Sequence, residues 1–164
     1  MARSSELRQV LKERFYPFAE QQGFVRSKSS HPLFTVFWRH REAAIHVFDV
    51  QWDKHHKPRF VINFGEALAN GGDVPGTPAA AGHVEPSDCS MAGRLQRRRG
   101  GSMGCWFQLR KPWLEALRSG ALSYSPTEAV DQAILAFAEL EAWWATKVEG
   151  PHVYACHRRT KPPK

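Results

Sequence analysis

Cysteine is scarce in this sequence, and long apolar runs are missing altogether. Its 164 residues include only three cysteines, Cys89, Cys105 and Cys156, and no two of them form a CxxC pair. An odd number of widely spaced thiols is typical of a reducing compartment and not of a disulfide framework. No apolar run approaches the ~18 residues of a membrane-spanning helix, and the N-terminal residues contain no signal-peptide core. The sequence therefore predicts a cytoplasmic protein without a membrane partner.

Motifs for catalysis, metal binding and nucleotide binding are also missing. A zinc site needs three or four converging ligands, whereas the adjacent His55 and His56 point in different directions, with His46 in a neighbouring strand. Solvated turn histidines are therefore the favoured interpretation. The sequence places no base beside Cys89 or Cys105, as a thiol nucleophile would require. We expect no catalytic, cofactor-binding or metal-binding residue, and enzyme activity is not favoured.

The composition is that of an ordinary folded protein. Hydrophobic residues make up 42% of the chain and aromatic residues 12%, with six tryptophans. A chain of this length forms one domain by default, and it can bury ~70% of the surface that it exposes when unfolded. We expect one domain over residues 1–156, followed by a frayed basic tail over residues 157–164.

Helix signals lie near both ends of the chain. Residues 4–22 carry an apolar stripe at helical spacing and end at Gly23, although Pro17 predicts a kink or two short helices. A second helix begins at Ser125, with a proline and a capping-box glutamate in its first turn. Its predicted apolar face comprises Val130, Ala133, Ile134, Phe137, Leu140, Trp144 and Val148. Trp143 is offset from that face, and packing in the core or at the edge of the stripe is favoured over a place on a contact surface.

The middle of the chain is rich in β-branched and aromatic residues. Residues 33–39, 43–52 and 59–64 read as three strands joined by short polar turns, which makes an antiparallel meander. Residues 104–109 are a fourth predicted strand, and residues 152–155 are a short edge strand or an extended tail. The predicted fold class is α+β, with an antiparallel sheet of four to five strands packed against the N-terminal and C-terminal helices.

The remaining segments are predicted as connections. Residues 25–32 read as a polar basic loop, and residues 67–88 as a long loop rich in Gly, Pro and Ala. A variable surface loop is favoured there over a lid or a partner-binding loop. Residues 89–98 are predicted as a short helix, and residues 113–117 as a helical turn.

Polar residues interrupt the apolar strands. Asp49, Gln51 and Asn63 must each find a hydrogen-bond partner or face solvent. They either lock neighbouring strands together, which is favoured, or line a cleft on the open face of the sheet. Arg94 is a natural partner because a guanidinium pairs well with carboxylate and amide oxygens. The candidate cleft or partner surface therefore comprises Gln51, Asn63, Arg94 and Trp106.

Positive charge is concentrated in one part of the sequence. The net charge is +7 and the isoelectric point about 9.7. Residues 94–111 include six basic residues and no acidic one. Such a turn could follow a phosphate backbone while Trp106 and Phe107 stack on bases, although a charge run is more often a solvated face. The candidate basic patch comprises Arg97, Arg98, Arg99, Arg110 and Lys111.

The order of landmarks resembles an uncharacterised bacterial family, domain of unknown function 4304, over roughly residues 7–148. The most specific of these landmarks are the Gly-Phe pair that ends the first helix, the strand with Asn63 and Gly65, and the run Cys89, Arg94, Trp106. The resemblance implies a compact α+β fold and a cytoplasmic location, and it supplies no activity. The long loop, the basic turn and the basic tail depart from the family pattern.

Three functions are therefore ordered by preference. A non-catalytic binding module with a protein partner comes first, and its oligomeric state is left open. A nucleic-acid-associated protein that uses residues 94–99 and the tail comes second, and a hydrolase-like enzyme third. An exposed apolar patch would favour the first. A concave pocket with converging titratable groups around Gln51, Asn63 and Arg94 would favour the third.

Overall fold

The computed structural model describes residues 2–27, 31–42, 44–68 and 84–157. Its first helix is α1, Ala2–Gln21. Leu7, Leu11, Phe15 and Ala19 recur every fourth residue, and all four are fully buried. The helix runs through Pro17 as one element, so of the two predicted alternatives, a kink or two short helices, the second is wrong. Burial of the stripe on both sides of the proline outweighs the one lost backbone hydrogen bond.

Helix α1 ends as its sequence predicts. Gly23 has a positive φ of 84°, a backbone conformation that favours glycine. The N–H of Phe24 donates to the carbonyl of Ala19 over 3.1 Å, and that of Gly23 donates to Glu20 over 2.9 Å. This pair of bonds is a Schellman ending. It returns the Phe24 ring to the core, where its side chain is 2% exposed.

The other two helices are α2, Trp113–Ser119, and α3, Pro126–Thr146. The capping box predicted for α3 is confirmed, since the Glu128 N–H donates to Ser125 Oγ over 3.1 Å and the Ser125 N–H to Glu128 Oε2 over 2.6 Å. Because α3 ends at Thr146, Val148 lies beyond it and is 68% exposed, so its predicted place on the apolar face is wrong. Trp143 is buried beside Trp144.

The described residues form a seven-stranded sheet in which every pairing is antiparallel, confirming the α+β class with more strands than expected. The strands follow one another in the order β1-β2-β3-β4-β5-β7, and β6 pairs with the start of β4. The strands are β1, Val25–Arg26; β2, Phe34–Arg41; β3, Ala44–Trp52; β4, Arg59–Leu68; β5, Met91–Leu95; β6, Phe107–Gln108; and β7, Val153–His157.

Several local predictions are corrected by this sheet. The segment 25–32, predicted as a loop, contains β1, which pairs with β2. The predicted helix 89–98 is instead β5, which lies between β4 and β7. The predicted strand 104–109 keeps only two strand residues and is preceded by a 3-10 turn, Met103–Cys105. The predicted edge strand 152–155 forms as β7.

Two predicted segments fall partly outside the described residues. The loop 67–88 begins within β4 and ends in a 3-10 turn, Pro86–Asp88, whereas residues 69–83 lie outside them. The tail 157–164 is described only at His157, the last residue of β7. In the described parts of the chain, no helix has both the length and the apolar character needed to cross a bilayer.

The two faces of the sheet are covered differently. Helices α1 and α3 pack on one face, and the large core cluster between them and the sheet includes Phe48, Phe64 and Phe137. The other face carries a smaller cluster, comprising Val36, Ile45, Val47, Ala67, Val84 and Cys89. Residues 84–90, the covering segment, thus contribute to burial on the face opposite the helices.

Candidate functional site

A row of polar residues crosses the sheet face opposite the helices. Asp49 on β3 is directly opposite Asn63 on β4, and Asn63 is directly opposite Arg94 on β5. Side chains alternate between faces along a strand, so Phe48 and Phe64 enter the helix-side core while their polar neighbours point the other way. The sheet register thereby brings together three residues that are far apart in sequence.

Asn63 holds this row in place. Its Nδ2 donates to Asp49 Oδ1 over 2.7 Å and to Gln51 Oε1 over 3.0 Å. Both acceptors are oxygens, which fixes the orientation of the Asn63 amide. Because the amide nitrogen of Asn63 has only two protons, these two bonds use its whole donor capacity. The expected locking of neighbouring strands is therefore present.

The same residues line a cavity of about 480 Å³, within the usual range for small-molecule sites. Gln51, Asn63 and Arg94 all contribute to its lining, together with Asp49. Four apolar residues form part of the remaining wall, namely Phe34, Val36, Pro86 and Ala92. The exposed residues His31, Glu85 and Ser87 also contribute to the lining. Three of the four residues of the predicted cleft therefore line a concave, partly apolar space.

Asp49 is the buried ionisable group of the cavity. Its side chain carries a carboxyl group, and the residue is only 7% exposed. Burial raises the pKa of Asp49 from 3.8 to about 7, and the charge of Glu85 adds to the rise; the Asn63 hydrogen bond and the charge of Arg94 oppose it. A buried carboxyl group without a close cation favours its neutral form. At neutral pH Asp49 therefore exchanges between a hydrogen-bond acceptor and a hydrogen-bond donor.

Arg94 differs from two other arginines that lie within the fold. Arg39 holds Glu141 with an Nη2–Oε2 distance of 2.5 Å, and Arg59 holds Asp53 with an Nη2–Oδ2 distance of 2.5 Å. In the described part of the chain, the half-buried Arg94 guanidinium has no such carboxylate and no hydrogen bond. Asp49 lies two strands away, with Asn63 between them. The donors of the Arg94 guanidinium are therefore available to a ligand in the cavity.

Trp106 does not join this cavity. It follows the 3-10 turn at Met103–Cys105, is 4% exposed and lies beneath the Arg59 guanidinium at 5.8 Å from the ring centroid. Its neighbour Phe107 pairs with the start of β4, whereas the polar row crosses the middle of that strand. Gln51, Asn63 and Arg94 are therefore brought together, and Trp106 is separated from them.

The candidate basic patch is interspersed with acidic groups. Arg99 forms an ion pair with Glu149. Arg97 and Arg98 line a second cavity of about 500 Å³, which Glu115 and Glu139 also line. These carboxylates interrupt the positive surface that the sequence alone suggests.

The last two residues of the patch lie near the start of α2. Lys111 donates from Nζ to Ser119 Oγ over 3.1 Å and lies over the Tyr124 ring at 5.1 Å from its centroid. Arg110 is exposed and pairs with Ser123 through an isolated antiparallel bridge. This bridge closes the base of an excursion that carries α2.

The histidines are dispersed. Across the described ranges, no group of three or more His, Cys, Asp or Glu side chains could hold a metal ion. His55 and His56 are exposed in their turn. His46 is buried and stacks on Trp144 at 4.6 Å. Burial, and then the positive charges of Arg39, Lys147 and Arg41, lower the pKa of His46 to about 4.

Several lining residues were missed by reasoning from sequence. Phe34 and Val36 face the cavity because β2 pairs with β3 in the register Phe34 to Gln51 and Val36 to Asp49. Period-two alternation assigns them to one face of β2, but only the register shows that they share the face of Asp49. Glu85 joins the cavity from the covering segment, where the sequence carries no periodic signal. Comparisons with protein-family models, curated proteins and solved structures gave no match.

Proposed function

We propose that this protein is a non-catalytic binding module whose ligand is a small molecule held in the cavity over β3, β4 and β5. The observation that carries the proposal is the combination of an apolar-walled cavity of about 480 Å³ with polar groups left uncommitted inside it. Ligand sites commonly have mostly apolar walls and a few well-placed polar groups. The ligand is therefore expected to be small and amphipathic, unlike the protein partner favoured by the sequence.

Binding explains the polar row without requiring a reaction. The amide of Gln51 receives a hydrogen bond at its oxygen, which leaves its NH2 group available to a ligand. Arg94 supplies further donors, and Asn63 keeps the row rigid. Groups fixed in this way provide orientation and selectivity at low entropic cost. We place the protein in the cytoplasm, and its three widely spaced cysteines, none of them in a CxxC pair, support that location.

The test is a small-molecule screen by NMR, read from the side-chain amide signals of Gln51 and Asn63. The expected result is that hits shift these two signals and that Ala92→Phe, which places a ring in the cavity, abolishes the shifts. Ala121→Phe adds the same ring at an exposed position and should leave binding unchanged. Hits that bind equally well to the Ala92→Phe protein would contradict the proposal.

A second candidate function, protein binding, is favoured by the surface around α2. The helix has no buried residue, and Trp113 and Leu117 are 70% and 72% exposed. Leu114 and Leu122 add to this apolar surface. Large exposed apolar patches mark interaction sites, and Arg110 and Arg118 are exposed beside this one. A partner with an apolar and acidic surface would fit it.

This second candidate is tested with a partner identified by affinity capture and then purified. Trp113→Ser combined with Leu117→Ser should abolish binding of the purified partner, whereas Val25→Ser, at a 53% exposed position on β1, should not. Equal binding by all variants would exclude the α2 surface. Nucleic-acid binding has weaker support, because the basic patch is paired with or bordered by carboxylates.

A further inference from the structure

We infer that the ligand of this cavity is a small organic acid, whose carboxylate pairs with Arg94 and whose apolar body lies against the wall that includes Phe34 and Val36. The inference rests on the proposed function and names the chemical class of ligand for that site.

Two guanidinium groups within the fold, those of Arg39 and Arg59, each pair with a carboxylate. Arg94 lacks one among the described residues, although it lines the cavity. A guanidinium presents planar, paired donors that match a carboxylate in a bidentate arrangement. A ligand carboxylate would complete at Arg94 the pairing that Glu141 and Asp53 provide elsewhere.

Two amide side chains, those of Asn63 and Gln51, line the cavity together with Arg94. Since the Asn63 amide protons are used on Asp49 and Gln51, Asn63 offers no donor to the ligand. The Gln51 NH2 group remains available and can donate to the same ligand carboxylate or to a neighbouring oxygen. Asp49 and Arg94 lie two strands apart, roughly 10 Å between Cα atoms at the usual strand spacing. Asn63 lies between them, so Asp49 and Arg94 are not paired and both border the cavity.

Asp49 lines the same cavity, and burial favours its neutral form. The neutral carboxyl group can donate a hydrogen bond to an oxygen of the ligand, whereas the charged form would repel it. A bound carboxylate would favour the protonated form further, so binding should take up a proton. Among the described residues, the other charged or titratable groups that line the cavity are Arg94 from β5, Glu85 from the covering segment and His31 from the chain before β2. Glu85 is exposed, so its repulsion of an anion is weakened by solvent.

The experiment compares benzoate with two probes of similar shape, benzyl alcohol and benzylamine, by calorimetry and NMR. Benzoate should bind, shift the Gln51 and Asn63 amide signals, and lose its binding in Arg94→Gln but not in Arg110→Gln. Its dissociation constant should rise about tenfold between about pH 6 and pH 8, as expected for a protonated partner with a pKa near 7. Asp49→Asn should retain binding and remove this pH dependence. His31→Gln, which replaces the histidine that lines the cavity, should leave the pH dependence of benzoate binding unchanged.

The possible outcomes separate the ligand class from the proposed function. Tighter binding of benzylamine or benzyl alcohol at the same amide signals overturns the carboxylate assignment, and the proposed small-molecule site stands. Benzoate binding that survives Arg94→Gln overturns the role of Arg94. Absence of benzoate binding overturns the inference, and the broader screen with Ala92→Phe then decides the proposed function separately.

Discussion

The buried carboxyl group of Asp49 makes the stability of this protein depend on pH in an unusual direction. Its pKa is raised from 3.8 to about 7 in the folded protein, chiefly by burial. Between those values the folded state holds a proton that the unfolded state has released. Stability contributed by this group is therefore present at low pH and falls as the pH rises towards 7. Asp49→Asn removes the group that ionises and keeps a side chain of the same shape.

The size of the effect follows from the shift. A difference of about three pKa units corresponds to about 4 kcal/mol in the free energy of unfolding, at roughly 1.4 kcal/mol per unit. The Asp49→Asn protein should be similar in stability to the wild type near pH 4, where both side chains are neutral. Above about pH 7 the Asp49→Asn protein should be more stable than the wild type by about 2–4 kcal/mol, because asparagine stays neutral where aspartate becomes a destabilising buried charge.

The measurement is chemical denaturation of both proteins, followed by tryptophan fluorescence, from about pH 4 to pH 8. The decisive quantity is the difference in the free energy of unfolding at each pH, since effects of other groups cancel. A difference that stays constant across this range would refute the argument, because it would mean that the pKa of Asp49 is not raised in the folded protein. Asp53→Asn is the matched control, because the pKa of Asp53 is shifted in the opposite direction. Burial alone would raise that pKa, but the hydrogen bonds from Arg59 and the His55 N–H hold it below its ordinary value. Stability from Asp53 should accordingly be present at neutral pH and lost as the pH falls below about 4.

Two further predictions concern the fold that supports the site. Trp143→Ala should lower the free energy of unfolding by about 3–5 kcal/mol, because the side chain is 2% exposed and packs on Phe64. Trp113→Ala, at a 70% exposed position, should change the free energy of unfolding by about 0.5 kcal/mol or less. Chemical denaturation measures both, and equal effects would contradict the packing. Gly93→Ala should destabilise the protein by about 1–3 kcal/mol and weaken the β5–β7 pairing in hydrogen exchange, because the new Cβ would lie 2.6 Å from Phe64 Cζ and 2.8 Å from the Tyr154 carbonyl oxygen. Gly101→Ala, where no atom lies within 4 Å of the new Cβ, should leave the exchange pattern unchanged.

The sequence identifies those elements whose signals are local. Helix α3 follows from its capping box and apolar stripe, and the end of α1 follows from Gly23 and Phe24. The central strands follow from their β-branched and aromatic composition. In each of these cases the deciding interactions lie within a few residues of one another, so a single sequence contains the necessary information.

The sequence misses those elements that depend on distant partners. Strand β5 has residues compatible with a helix, yet it forms a strand because β4 and β7 lie on either side of it. Gly93 is the available signal, since glycine is unfavourable within a helix and allows the close approach of Phe64 and β7. The sequence groups Trp106 with Arg94, but Trp106 lies outside the strands, just before β6, whereas Arg94 lies on β5. Long-range register separates them, and no local pattern encodes it.

The shape of the cavity can nevertheless be traced to particular residues of β4. Asn63 and Gly65 are two positions apart and therefore belong to the same face of the strand. At Gly65 the covering segment comes into close contact, since a Cβ there would lie 2.6 Å from Cys89 Sγ. At Asn63 a side chain is present, and its hydrogen bonds to Asp49 and Gln51 hold it against the sheet beneath the cavity. Glycine at one position thus lets the covering segment reach the sheet, and asparagine at the other organises the polar floor. The two positions therefore have separate roles. A substitution of Asn63 should alter ligand binding, whereas the contact between Gly65 and Cys89 should still hold the covering segment against the sheet.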